Sequence, residues 1–177
     1  PINEHIDRIL AAEVECVAAS IDIDNFQPFN DHFGYRRGDD LIQLLGRLIC
    51  EIADTRNDFV GHIGGDDFFV IFQSPHWETL CQDIVHRFSD MVSKMVGPHE
   101  QTQGGYLAEN RRGELGLVPL PTLSIGIVKV SPLQFESNRE VAAAAAEAKK
   151  QAKKRLKEQG GKGNIFIEQR RHQSPVT

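Results

Sequence analysis

Asp58-Phe-Val-Gly-His-Ile-Gly-Gly-Asp-Asp-Phe-Phe-Val-Ile-Phe-Gln73 sets two short apolar runs, Asp58 to Ile63 and Phe68 to Gln73, on either side of Gly64, Gly65, Asp66 and Asp67. Aromatic and β-branched residues around a glycine-bearing tight turn predict a β-hairpin, because glycine adopts the positive φ such a turn needs. The neighbouring segments tell what the hairpin pairs with. Upstream, Cys16 to Ile23 reads as a buried strand ending in the carboxylates Asp22 and Asp24. Downstream, Thr122 to Val130 is a second strong strand, and Asn164 to Ile167 a last short one.

Helical patterns fill the gaps. Ile2, Ile6, Ile9 and Leu10 fall at helical spacing, predicting an N-terminal linker helix within 1–14. Phe26, Phe29 and Phe33 give a short helix with an aromatic face, which Asn30, Asp31, Gly34 and Gly38 break into a polar loop. From Asp39, the set Leu41, Leu44, Leu45, Leu48, Ile49 and Ile52 predicts an amphipathic helix. Ser74-Pro75 opens another, with Leu80, Ile84, Val85, Phe88, Met91 and Met95 inward, closed at Gly97-Pro98. Residues 99–121 read as an accessory insertion with a hairpin tip at Asn110 to Gly113. Ser137 and Glu140 form a capping box before an alanine- and lysine-rich helix that runs out at Gly160-Gly161, and 169–177 read as a disordered tail. Alternating strands and helices predict an α/β (α+β) domain: a central mixed, mainly antiparallel sheet flanked by helices, with an accessory hairpin.

The 177 residues are 40% hydrophobic and 25% charged, which suits one globular domain over 1–177. Twenty Lys and Arg against 25 Asp and Glu give a formal charge of −5, which argues against general nucleic-acid binding. Cys16, Cys50 and Cys81 are odd in number and widely spaced, with no zinc-ligand pattern; they read as reduced, mostly buried thiols of a cytoplasmic protein. No apolar run reaches the ~20 residues of a membrane span, so no membrane contact is expected of this domain. Beginning at Pro1, the chain reads as a piece of a longer one.

Two acidic places stand out: the strand-end pair Asp22 and Asp24, and the turn pair Asp66 and Asp67. If they meet in space they offer the hard oxygen ligands that Mg²⁺ prefers. Otherwise they are turn and cap residues, a common use of Asp. The spacing leaves both readings open.

Gly64-Gly65-Asp66-Asp67-Phe68 resembles the GGDEF signature of diguanylate cyclases. The run Asp22-Ile-Asp-Asn-Phe-Gln-Pro-Phe-Asn30-Asp-His-Phe-Gly34-Tyr-Arg-Arg-Gly38-Asp39 is similar to that family's other hallmark, and Thr122-Leu-Ser-Ile-Gly126 to its later strand. The resemblance implies a palm-like nucleotide cyclase fold. It implies condensation of two GTP into cyclic di-GMP with release of two pyrophosphates, in bacterial signalling, by a homodimer in which each domain supplies one half-site. By position, Asp22, the Ile23 carbonyl and Asp66 would hold Mg²⁺ (or Mn²⁺), and Asp66 and Asp67 would be catalytic. Asn30 and Asp39 would bind the guanine edge, and Gly64 and Gly65 would let backbone approach ribose and phosphates. Phe26 lies in the substrate-binding segment, though the Phe26, Phe29 and Phe33 stripe reads first as core. Lys153 would contact phosphate, with Lys162 standing for the family's following Arg; a solvated basic helix face is the other reading. Asp39 also reads as the N-cap of its helix.

Four positions depart from the pattern: Asp67 for Glu, Gln27 for Lys, His62 for Arg and Tyr35 for His. The product-inhibition motif RxxD is represented by Thr55-Arg-Asn-Asp58, with Arg56 offset by one, so feedback inhibition is expected to be absent or weak. The spelling of the first motif and the 99–121 insertion resemble family members found beside EAL and CBS domains. An active cyclase and a catalytically weak or inactive GTP-binding module that regulates a neighbouring domain both remain open. The retained Asp22 and Asp66 favour the first, Asp67 and Gln27 the second.

Overall fold

The computed structural model describes residues 2–54, 56–110, 112–161 and 163–168. Along the chain run α1 (Ile2–Ala11), β1 (Cys16–Asp24), α2 (Phe26–Phe33), α3 (Tyr35–Ile52), β2 (Phe59–Gly64), β3 (Asp67–Phe72), α4 (Trp77–Met95), α5 (Pro98–Gln103), β4 (Gly105–Glu109), β5 (Leu115–Pro119), β6 (Thr122–Val130), α6 (Asn138–Gln159) and β7 (Asn164–Ile167). Five strands form the main sheet in the order β2-β3-β1-β6-β7; β4 and β5 pair separately as the accessory hairpin. All main-sheet pairings are antiparallel except β6 with β7. The mixed, mainly antiparallel sheet read from the sequence is therefore present.

Strand periodicity assigns each residue of β1 to a face. Val17, Ala19, Ile21 and Ile23 point to one side, where Phe29 of α2, Leu41, Leu45 and Ile49 of α3, and Ile84 and Phe88 of α4 build the larger core. Cys16 and Ala18 point to the other side, covered by Ile6 and Ile9 of α1 and by Val141, Ala144, Ala145 and Ala148 of α6. The same parity carries Ser20, Asp22 and Asp24 onto the α6 side. Their partners across the strand pair are Gly126, Ser124 and Thr122.

Helix α6 sits close to the sheet because both surfaces are small. A Cβ on Gly126 would lie 2.0 Å from the backbone nitrogen of Lys149, so only glycine admits the helix there. At its start, Ser137 Oγ accepts from the Glu140 N–H at 3.4 Å, while the Glu140 carboxylate accepts from the Glu136 N–H at 2.9 Å. The second arm of the capping box thus reaches one residue further back than the usual form.

Local expectations need correction in four places. Gly38 and Asp39 do not lie in a loop or at a helix start: α3 begins at Tyr35, with Gly34 as its N-cap. The apolar set begins only at Leu41 because the first turn of α3 is solvent-facing, which hid that turn from a periodicity reading. α4 begins at Trp77 rather than Ser74. Within 99–121, the hairpin occupies only 105–119, and Gly97-Pro98 begins α5 with Pro at its first position instead of merely ending α4. Cys16 and Cys81 are buried free thiols, but Cys50 is exposed on α3. Residues 169–177, read above as a disordered tail, and Lys162 lie outside the described residues. Among the described residues no helix is long and apolar enough to cross a membrane.

Candidate functional site

The end of β1 brings carboxylates out of water. Asp22 and Asp24 are 6% and 7% exposed. Asp24 accepts from Ser124 Oγ at 2.9 and 2.8 Å and from Thr122 Oγ1 at 3.4 Å. Burial nevertheless pushes its carboxyl up to about 6, with the Ser124 hydrogen bond opposing the rise. Asp22 faces the Lys153 ammonium of α6 and the carboxyl of Asp66 from the β2–β3 turn. Its pKa is also raised to about 6: burial is the main cause, Lys153 pulls it down, and Asp66, near enough to share a proton, pushes it up. Partial burial works against the charge on Lys153, but its hydrogen bond to Asp22 and the surrounding carboxylates outweigh that and raise its pKa.

The turn itself is tightly built. Gly64 pairs with Asp67, leaving Gly65 and Asp66 at the corner. Gly64 and Gly65 have φ of +148° and +57°, values that disfavour any side chain. His62 stacks on Phe68 with ring centroids 4.5 Å apart, and its Nε2 lies 2.8 Å from the Gly65 carbonyl oxygen. Asp67 shares the strand parity of Phe69 and Ile71, so it faces α6, where the Lys149 ammonium pairs with it. Asp22, Asp24 and Asp67 are thus each partnered, by Lys153, by Ser124 and Thr122, and by Lys149, while Asp66 lies against the Asp22 carboxyl. Among the described residues no group of three or more His, Cys, Asp or Glu converges as a metal cluster.

A cleft of about 850 Å³ opens beside these groups. Ile23, Asp24, Phe26, Gln27, Asp66 and Lys153 contribute to its wall. Gln27, in place of the expected lysine, donates to Asp31 at 2.7 Å. Phe26 packs against the core, as its stripe suggested, and also lines the cleft. Asn30, Asp39, Gly64 and Gly65 do not line this cleft. Asn30 is buried on α2 with its side chain against Gly38, and a Cβ on Gly38 would fall 1.6 Å from Asn30 Oδ1. Among the described residues that oxygen has no hydrogen-bond partner. Asp39 follows Gly38 directly and is exposed inside α3, so it is not an N-cap.

Asp58 is 8% exposed, and its carboxylate accepts the backbone N–H groups of Asp54, Gln73 and Ser74 at 3.0, 2.9 and 3.1 Å. It ties the turn before β2 to the end of β3. Arg56 turns to Asp54 instead, and Thr55 lies outside the described residues.

The family model "Diguanylate cyclase, GGDEF domain" matches residues 2–159. The chain belongs to the GGDEF family. A diguanylate cyclase of Vibrio cholerae is 34% identical over 84 residues, 46% of this chain and 25% of that protein. Diguanylate cyclase DgcP of Escherichia coli is 30% identical over 128 residues, 71% of this chain and 32% of that protein. The GGDEF domain thus spans about a quarter to a third of the length of these curated relatives. Among solved structures, the GGDEF domain of DgcB from Caulobacter crescentus in complex with c-di-GMP aligns over 94% of this chain and 85% of that one, with TM-score 0.64 and 22% identity. The active GGEEF domain of a diguanylate cyclase from Vibrio cholerae aligns over 96% and 93%, with TM-score 0.65 and 19% identity. Both likenesses show the palm-like GGDEF fold.

Sequence reasoning missed Lys149 and the hydroxyls of Ser124 and Thr122 in this GGDEF domain. The signal for Lys149 was present. Lys149 and Lys153 are four apart, and each directly follows a buried alanine, Ala148 and Ala152. Both therefore flank the seam where α6 meets the sheet, whereas Lys150, Lys154 and Lys157 are exposed.

Proposed function

We propose that this GGDEF domain is one half-site of a diguanylate cyclase, which binds GTP and, facing a second copy, condenses two GTP into cyclic di-GMP. The convergence of Asp22, Asp66 and Lys153 at the mouth of the cleft carries the reading. A buried carboxyl, Asp22, set against a half-buried one, Asp66, calls for a cation between them, and their hard oxygens suit Mg²⁺ or Mn²⁺. Asp22, the Ile23 carbonyl and Asp66 would hold that ion, which when bound offsets the triphosphate charge and polarises its phosphoryl oxygens.

The chain's own groups would do the rest. Lys153, 36% exposed at its side chain, can leave Asp22 and meet the phosphates as the triphosphate enters. The backbone at Gly64 and Gly65 carries no side chain to block ribose or phosphate. Asn30 offers an unpaired Oδ1 acceptor to the guanine N–H donors, and Asp39, next to Gly38, a second. The 3′-oxygen of one GTP attacks the α-phosphorus of the other as its proton leaves toward Asp67. The bond to pyrophosphate breaks, and a second such transfer closes the ring.

Asp67 also supports a second reading. Its pairing with Lys149, and its side chain one methylene shorter than Glu, favour a weak or inactive GTP-binding module that regulates neighbouring EAL- or CBS-type domains of a cytoplasmic signalling protein. Incubation with GTP and Mg²⁺ or Mn²⁺ at high protein concentration separates the two, with cyclic di-GMP as the expected product. GTP binding without product, restored by Asp67→Glu, would establish the second reading. Because Asp58 is consumed by backbone N–H groups, product inhibition through an RxxD-type site is not expected. Titrated cyclic di-GMP should leave the initial rate unchanged.

A further inference from the structure

We propose that Lys149 is a positioning residue that stands in for a second divalent cation at Asp67, so that this site takes one metal ion per chain. The inference rests on the cyclase reading of the site and concerns how its charge is balanced. Four carboxylates lie at the sheet end: Asp22, Asp24, Asp66 and Asp67. Two ammonium groups face them, Lys153 at Asp22 and Lys149 at Asp67. Two negative charges remain, the complement of one divalent ion.

The two lysines are not equivalent. The Lys149 side chain is 18% exposed against 36% for Lys153. The Lys149 backbone nitrogen is the atom that presses on Gly126, so its root is fixed to β6. Lys153 lines the cleft and can swing to an incoming phosphate; Lys149 does not line it. An ammonium held at its root and half-buried against Asp67 remains there when substrate binds. It removes Asp67 from the ligands open to a metal, while Asp24 is already turned to Ser124 and Thr122. Asp22 and Asp66 are left to converge on one ion, and a second ion at Asp67 would have to displace the Lys149 ammonium. The short Asp67 side chain and Lys149 are thus parts of one device. A longer carboxylate would reach past the ammonium toward the cleft.

The test counts Mn²⁺ by electron paramagnetic resonance in the whole chain saturated with a non-hydrolysable GTP analogue. The wild type is expected to bind one ion, and Lys149→Arg, which keeps the charge, also one. Lys149→Met is expected to bind a second ion, and adding Asp67→Asn to it is expected to abolish that second site. Asp67→Asn alone is expected to keep the first ion within about threefold of wild-type affinity, since it loses a paired charge and no ligand. This last comparison decides the matter even if Lys149→Met does not fold. Two ions in the wild type, one in a folded Lys149→Met, or loss of the first ion in Asp67→Asn would overturn the inference while leaving the cyclase reading standing. No ion in any variant would overturn both.

Discussion

The two faces of the sheet are built from different materials. On one, Phe29, Leu45, Ile84, Phe88 and their neighbours interlock as large side chains. On the other, α6 lies on alanines and Gly126, and the strand ends beneath it carry carboxylates and hydroxyls. The first face gains more from apolar burial, at about 25 cal/mol per Å². The second gives up that burial for proximity, and proximity is what lets lysines on a helix reach carboxylates on a strand. Stability and chemistry are thereby assigned to opposite sides of β1.

Substitutions on each face test this division. Phe88→Ala, in the large-residue core, should cost about 4 kcal/mol in urea unfolding, while the fraction still folded at low temperature binds GTP as the wild type does. A parallel loss of GTP affinity would erase the distinction. Gly126→Ala should cost less stability, about 2–3 kcal/mol, as the new Cβ drives α6 outward. GTP affinity measured by calorimetry should nevertheless fall at least about tenfold, because Lys153 moves with the helix. Unchanged affinity would show that the close approach of α6 serves packing only.

Asp24→Asn sharpens the comparison on the polar face. The Asp24 carboxyl titrates near 3.8 when unfolded and is raised to about 6 in the fold, so its contribution to stability is fully present below pH 3.8 and lost as pH rises to 6. The wild type should therefore lose stability across that window in chemical denaturation at stepped pH. The neutral isostere should flatten part of the slope and be more stable by about 2 kcal/mol at pH 7. Asp22 titrates in the same range and retains the remainder. A steeper slope in the variant would contradict the placement of Asp24 out of water. The smallest expected effect is Ser137→Ala, which removes the α6 cap at a cost of about 1 kcal/mol in thermal unfolding.

Much of this division was legible in the chain. β6 and β7 run over the residues that their apolar patterns marked, and the hairpin turn falls on its glycines. Those signals are local: a period of two, or a backbone angle that only glycine holds comfortably. The first turn of α3 was not legible, because an exposed turn has no apolar period to display. Nor could the partners of Asp22 and Asp67 be read from the sequence, since Lys153 and Lys149 stand 131 and 82 positions away and share a helix with five other basic residues. Which lysines turn inward depends on the phase of α6 against Gly126, a fact of packing. Asp58 kept its place in a family motif, yet the fold spends its carboxylate on three backbone N–H groups.

The cysteines give each face its own clock. Cys81 belongs to the core under α3 and α4, Cys16 to the core under α1 and α6, and burial raises their thiols to about 12 and about 11. Neither will alkylate in the closed fold, since the reactive species is the thiolate. Exposed Cys50 will react at once. The two slow labelling phases that follow therefore time the separate opening of the two layers. If α6 detaches before the large-residue core loosens, Cys16 will be marked first.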